Sequence, residues 1–216
     1  MKKGYFITLE GIDGCGKSTQ AKLLFQRLKE MGYQVLLTRE PGGTALAEEI
    51  RRVILTPGKE ELDPMAEILL YAASRAQHVN GLIRPALEAG QMVISERFVH
   101  SSLAYQGYGL SRDLKLIKEI NCLATGDIWP DLTILLDTAS ETSGERVQNR
   151  SKTNGNDCDR IEMRGLSFQE RVRVGFLKMA EEDRRIVVIN TAGKNVQTVF
   201  TEIAEVLSRR LNLKFG

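Results

Sequence analysis

The sequence predicts a doubly wound α/β fold, a five-stranded parallel sheet surrounded by helices. Three observations predict it. Five short apolar runs rich in β-branched residues recur along the chain, helical periodicity fills the intervals between them, and a glycine-rich motif stands at the first strand-to-helix junction. That motif, Gly11-Ile12-Asp13-Gly14-Cys15-Gly16-Lys17-Ser18, fits G-x-x-x-x-G-K-[ST] and makes the expected sheet one of the P-loop NTPase type.

Each element follows in order. Tyr5 to Leu9 reads as the first strand, and Leu23, Leu24 and Leu28 recur at helical spacing until Met31-Gly32. Gln34 to Thr38 is a second strand, left through the turn Arg39-Glu40-Pro41-Gly42-Gly43. Ala45 to Leu55 makes a helix, and Asp63-Pro64 resembles the start of another that runs from Met65 to about Ala89, where Gly90 stops it. Met92 to Ser95, Leu132 to Leu136 and Ile186 to Ile189 complete the strands. Helices are expected over Leu110 to Ala124, Phe168 to Arg185 and Val196 to Leu211. There is no internal repeat or linker, so residues 1–216 read as one domain.

One interval breaks the rhythm. Glu141 to Gly165 is polar and carries Arg146, Arg150, Lys152, Arg160 and Arg164, which suggests a mobile basic lid over roughly residues 141–165. A solvated charged helix and loop would have a similar composition. A lid that shields a transferred phosphoryl group from water is what a kinase needs.

The motif has a physical rationale. Glycines at 11, 14 and 16 let the backbone turn its N–H groups around phosphates, and the helix N-terminus adds partial positive charge. Lys17 can reach β- and γ-phosphate oxygens, and Ser18 can ligate Mg²⁺. A bound nucleoside triphosphate is implied, held by residues 11 to 18 and the adjoining Thr19.

Composition limits the partners. The 216 residues are 42% hydrophobic and 27% charged, enough for a sizeable core, and 30 basic against 28 acidic residues leave a formal charge of +2. That balance does not suggest a nucleic-acid surface. No apolar run approaches the ~20 residues of a membrane span, and Met1-Lys2-Lys3 leads into a strand rather than a signal segment, so a cytoplasmic protein is expected. Cys15, Cys122 and Cys158 are odd in number and widely spaced, which fits reduced thiols better than a disulfide framework or zinc site. A helix N-terminus and Lys17 can make Cys15 more reactive than an ordinary thiol, although a small loop-filling role is the plainer reading.

Several longer segments resemble the thymidylate kinase family: residues Gly11 to Thr19, Thr38-Arg39-Glu40-Pro41-Gly42-Gly43-Thr44, Glu96-Arg97-Phe98 and Ala104-Tyr105-Gln106-Gly107. Tyr71 to Gln77 and Asp159-Arg160-Ile161-Glu162 add to the resemblance, which extends from the first strand to the last helix. It implies Mg²⁺-dependent transfer of the γ-phosphoryl group of ATP to dTMP, giving dTDP and ADP for dTTP synthesis, usually in a homodimer.

The resemblance also implies roles. Tyr71 stacks on thymine, Arg75 bonds a thymine carbonyl oxygen, Tyr105 excludes a 2′-hydroxyl, Gln106 lies near the thymine edge and Ser102 assists. Asp13 contacts the acceptor 3′-hydroxyl or supports Mg²⁺ from outside its ligand shell. Arg39 and Arg97, each just past a strand end, suit the acceptor phosphate; the plain alternative is an ion pair with Glu40 or Glu96. Glu96 stands where the family commonly has aspartate, and can hold Mg²⁺ or its waters, or orient Arg97. Cys15 occupies a position where some members carry arginine, so the charge is expected from the lid, from Arg150 with Arg146 as neighbour, or else from Arg160 or Arg164. Catalysis is therefore assigned to Lys17, Arg97, Arg150 and Asp13, with no general base; His78 and His100 are not chosen.

Other readings are weaker. A GTPase switch lacks an N-K-x-D segment, and the Asp13-Gly14-Cys15-Gly16 string lies inside the phosphate loop. A kinase of another monophosphate must explain Tyr71, Arg75, Tyr105 and Gln106, and a noncatalytic ATP module must explain Arg39, Arg97 and the lid arginines.

Overall fold

A computed structural model describes residues 4–58, 60–154 and 159–215, with residues 150–154 described by backbone alone. Five strands, β1 (Phe6–Glu10), β2 (Val35–Arg39), β3 (Met92–Glu96), β4 (Leu132–Asp137) and β5 (Ile186–Asn190), pair in parallel in the order β2-β3-β1-β4-β5. The three central strands are buried over nearly their whole length, because helices cover both faces; β2 and β5 are only partly covered at the edges. From β1 the chain crosses to β2 and β3 on one side and later to β4 on the other. The topological switch therefore flanks β1, whose carboxyl end runs into the phosphate loop.

Nine α-helices occur among the described residues: α1 (Lys17–Glu30), α2 (Ala45–Leu55), α3 (Pro64–His78), α4 (Arg84–Glu88), α5 (Val99–Ser102), α6 (Leu114–Thr125), α7 (Ser140–Asn154), α8 (Leu166–Glu182) and α9 (Val196–Leu211). One hydrophobic cluster joins Ile7, Leu9, Ile94 and Ile134 to Leu24 of α1, Phe176 of α8 and Ile203 of α9. A second packs Phe6 and Val93 on Val79, Ile83 and Phe98, with the Phe6 and Phe98 rings edge to face at 4.8 Å.

Four stretches differ from expectation. The helix expected from Met65 to Ala89 is α3 and α4 joined by a π-helical turn, Val79–Ile83. Pro85 lacks an N–H and its ring crowds the preceding turn, which accounts for the break in the regular ladder. The segment after β3, to which the sequence assigns no element, forms α5 and a π-helical turn, Leu103–Gly109. Its glycines disguise it: a Cβ on Gly109 would lie 2.7 Å from Phe168, so the close approach of α8 requires the residue that argues against a helix. α6 then starts at Leu114 rather than Leu110, since Asp113 caps it by accepting from the Lys115 and Leu116 backbone N–H groups at 2.8 and 3.3 Å. Finally, most of the basic interval is helix α7, followed by a 3₁₀ turn at Glu162–Arg164.

Candidate active site

The phosphate loop folds as its glycines require. Gly14 has φ +81°, and a Cβ there would stand 2.6 Å from the Ser143 carbonyl oxygen, so α7 can settle on the loop only because that position is bare. The Ser143 hydroxyl donates to the Asp13 carbonyl oxygen. Lys17 Nζ donates to the Gly11 and Ile12 carbonyl oxygens at 3.0 and 2.8 Å and lies 3.6 Å from Cys15 Sγ. Ser18, in the first turn of α1, and Glu96, at the end of β3, meet: Ser18 Oγ donates to Glu96 Oε2 at 2.5 Å. One hydroxyl and one carboxylate beside a phosphate loop suit Mg²⁺, a hard cation that keeps waters and phosphate oxygens as its other ligands.

Beyond the loop, Asp13, Arg97 and Tyr105 form a knot. Arg97 Nη2 is 2.6 Å from Asp13 Oδ1 and 3.0 Å from Tyr105 Oη, and Tyr105 donates to Asp13 Oδ2 at 3.1 Å. Arg97 Nη1 donates to Gly11 O and Ser101 Oγ, both at 3.1 Å. Burial alone would raise the Asp13 pKa, but the charges of Arg97 and Lys17 hold it down to about 2. Burial opposes the Arg97 charge, yet Tyr105, Asp13 and Glu10 outweigh it and keep the guanidinium ionised.

The backbone of Arg97 is left-handed, φ +69°. Its conformation is held by Glu10, which the sequence reading passed over. Glu10 is fully buried and accepts from the Phe98 and Ser101 N–H groups at 2.8 and 3.3 Å and from the Ser101 hydroxyl at 2.6 Å. Burial raises its pKa. The available signal was a carboxylate closing an otherwise apolar strand.

A pocket opens behind this knot, walled by Tyr71, Arg75, Ser102, Tyr105 and Gln106. Tyr71 and Arg75 are one turn apart on α3, as their spacing anticipates. Arg75, only 2% exposed, is fully engaged by protein: Nε donates to Glu40 Oε2 at 2.7 Å, Nη1 to Ser102 Oγ at 2.8 Å and to Asn121 Oδ1, and Nη2 to Phe98 O at 3.0 Å. A base carbonyl would have to share these donors. Gln106 donates from Nε2 to Glu67 Oε1 at 2.8 Å.

A second cleft runs along the loop past Lys17, Ser18, Thr19, Arg39 and Arg146, and it shares Asp13, Glu40, Arg51, Arg97 and Asp159 with the pocket. Arg39 pairs with neither Glu40 nor Glu96; it makes a two-pronged contact with Glu48 at 3.0 and 2.8 Å on the exposed rim. Arg51, on α2, was not singled out from the sequence, where it reads as the polar face of an amphipathic helix. It bridges both cavities, with Nη1 donating to Pro41 O at 2.9 Å, and burial with Arg39 nearby lowers its pKa.

Among the lid arginines with described side chains, Arg146 reaches the loop, with Nη1 3.4 Å from Gly14 O. Arg160 bonds the Thr56 carbonyl oxygen at 2.8 Å, and Arg164 pairs with Glu67, so both are engaged away from the loop. The side chains of residues 150–154, Arg150 among them, and residues 155–158 lie outside the described part of the structure. A further cleft beside Gly16 is bordered by Arg146, Thr191, Lys194 and Asn195 from the β5–α9 connection, a region the sequence left without a role. Its position past a strand's carboxyl end was the available signal.

Comparisons with known proteins agree on one family. The family model described as thymidylate kinase matches residues 9–203. A thymidylate kinase of Geobacter sulfurreducens is 47% identical over 210 residues, covering 96% of this chain and 98% of that protein. One from Exiguobacterium sibiricum is 46% identical over 202 residues, covering 94% and 93%. The crystal structure of thymidylate kinase from Ehrlichia chaffeensis superposes with a TM-score of 0.75 at 35% identity, covering 95% of this chain and 99% of that one.

Proposed function

The chain belongs to the thymidylate kinase family, and from that premise we infer that it transfers the γ-phosphoryl group of ATP to dTMP, releasing dTDP and ADP. The observation that carries the reading is the junction of two cavities. A pocket sized by Tyr71, Tyr105 and Gln106 opens onto the phosphate loop through a shared wall that contains Asp13, Arg51 and Arg97. A monophosphate in the first would direct its phosphate at the γ-phosphoryl group held in the second.

In this mechanism Lys17 exchanges the Gly11 and Ile12 carbonyls for β- and γ-phosphate oxygens, and the loop N–H groups hold the rest of the chain of phosphates. Arg97 and Arg51, with Arg39 released from Glu48, hold the acceptor phosphate in line. One acceptor oxygen forms the new bond to phosphorus as the bond to the ADP oxygen breaks. The acceptor oxygen is already anionic, so no base is needed. Ser18 and Glu96 would hold Mg²⁺, which would supply positive charge against the phosphate oxygens. Arg146, with Arg150 further along α7, supplies positive charge from the lid. Tyr71 stacks on the base, Tyr105 closes the space at the sugar 2′ carbon, and Asp13 takes the 3′-hydroxyl.

A homodimer is part of the proposal. α3 packs against both α2 and α6, and these helices expose Leu46 and Val53, Met65 and Leu69, and Leu123, side chains we assign to one apolar face that a second copy covers. Cytoplasmic location goes with the use of ATP as donor. The test is release of ADP with dTMP, dUMP, dCMP, AMP and GMP as acceptors. dTMP is expected to lead by a wide margin; a different best acceptor, or none, would overturn the reading.

A further inference from the structure

Glu67 lies on α3 one turn before Tyr71, with none of its surface exposed. It is not part of the pocket wall. Two distant segments nonetheless converge on its carboxylate: Gln106 Nε2 donates to Oε1 at 2.8 Å, and Arg164 donates from Nη1 to Oε1 at 3.2 Å and from Nη2 to Oε2. Arg164 rests 4.9 Å from the centre of the Phe168 ring, and Phe168 meets Tyr105 edge to face. Gln106 sits in the π-helical turn Leu103–Gly109, an irregularity that aims side chains differently from a regular helix.

Stability does not account for this buried ion pair, because well-packed apolar side chains commonly do as well or better at such positions. Its distinctive consequence is orientation. A primary amide can turn either its carbonyl or its NH₂ towards a neighbour by rotating half a turn. A carboxylate bound to a guanidinium only accepts, so it takes the NH₂ of Gln106 and leaves the carbonyl for the pocket that Gln106 lines.

We propose that Glu67, clamped by Arg164, is a positioning residue for base selection: it fixes the Gln106 amide so that its carbonyl meets a ring N–H of the acceptor base. Thymine and uracil offer that N–H. Cytosine offers a lone pair at the same ring position, which would face the Gln106 oxygen with neither partner able to donate. The proposal rests on the reading of this pocket as the acceptor site.

The test compares kcat/KM for dTMP, dUMP and dCMP in the unaltered chain, in Glu67→Gln and in Arg164→Gln. An amide at 67 can donate as well as accept, so Gln106 is free to turn over. In Glu67→Gln the preference for dTMP over dCMP is expected to fall by about tenfold or more, mainly through KM for dTMP, while dUMP keeps step with dTMP. Arg164→Gln, altered outside the pocket at a side chain 20% exposed, moves the ratio in the same direction by a smaller factor and carries the test if Glu67→Gln does not fold. If dTMP and dCMP decline by a common factor, Glu67 is merely structural and the proposal is wrong. If the unaltered chain ignores dTMP, the proposed function falls first and this proposal with it; a dTMP kinase with unchanged ratios in the variants sinks only the role of Glu67.

Discussion

The Arg97 guanidinium meets the Asp13 carboxylate at 2.6 Å, and through that contact the end of β3 is tied to the phosphate loop. The pair has a measurable titration. In an unfolded chain Asp titrates near 3.9, whereas burial, overcome by Arg97 and Lys17, leaves Asp13 at about 2. Between those values the unfolded state binds the extra proton, so the contribution is complete above about pH 4 and is lost as pH falls towards 2, with an amplitude of about 2 kcal/mol. Asp13→Asn should flatten that limb of a urea-midpoint profile. Parallel profiles for the two proteins would show that the carboxylate carries no such linkage.

Lys17 is predicted to act on turnover. Its ammonium is satisfied by two carbonyls of its own loop, and Gly11 O keeps its bond from Arg97 when the amine is removed, so Lys17→Ala should keep the fold. Loss of the charge at the transferring group should lower kcat about a hundredfold or more, with KM for dTMP within about threefold. A variant that lost dTMP affinity instead would place Lys17 on the acceptor side.

What could be read in advance was local. The phosphate loop, its strand and its helix are encoded within a few residues, and Arg39 and Arg97 announce themselves at strand ends. What could not be read depends on distant partners. Nothing near Glu67 in the chain points to Arg164, which lies 97 residues on. Arg51 looks like any cation on the polar side of a helix until α2 is folded against the loop. The π-helical turn after β3 was hidden because Gly107 and Gly109, unfavourable in an isolated helix, are there for the approach of other elements. Strand order likewise depends on crossovers rather than on the strands themselves.

Arg51 spans the two cavities and should bind the acceptor phosphate. Arg51→Ala is expected to raise KM for dTMP by about ten- to a hundredfold, the scale of a charge-assisted hydrogen bond, and to leave KM for ATP nearly unchanged. Steady-state kinetics with each substrate varied in turn decide it. An equal rise in both constants would make Arg51 a support of the loop rather than an acceptor ligand.

The apolar face of α2, α3 and α6 makes a prediction independent of chemistry. Leu69 is 52% exposed at its middle, so Leu69→Arg removes little of the protomer's core while placing a charge where a second copy would dock. Sedimentation equilibrium should show a dimer for the unaltered chain and a monomer for the variant. A monomer in both cases would leave this face to some other role.

His100 supplies a second acid limb, separable from that of Asp13. It is buried under the sheet, with Nδ1 3.3 Å from Thr133 Oγ1 and Nε2 4.0 Å from Asp183 Oδ2. Burial lowers its pKa from 6.5 to about 4; Asp183 pulls the other way, while Arg185 and Arg75 add to the lowering. Between about 4 and 6.5 the unfolded imidazole therefore takes a proton that the folded one refuses. Stability is full above pH 6.5 and declines until about pH 4, by up to about 3 kcal/mol. His100→Gln keeps a polar partner for Thr133 but cannot charge, so its urea midpoint should vary less across that window. Asp13→Asn should leave the same window untouched and alter only the limb below it, so the two variants assign the two limbs separately. Should His100→Gln follow the unaltered chain from pH 6.5 down to 4, the acid sensitivity belongs to other groups.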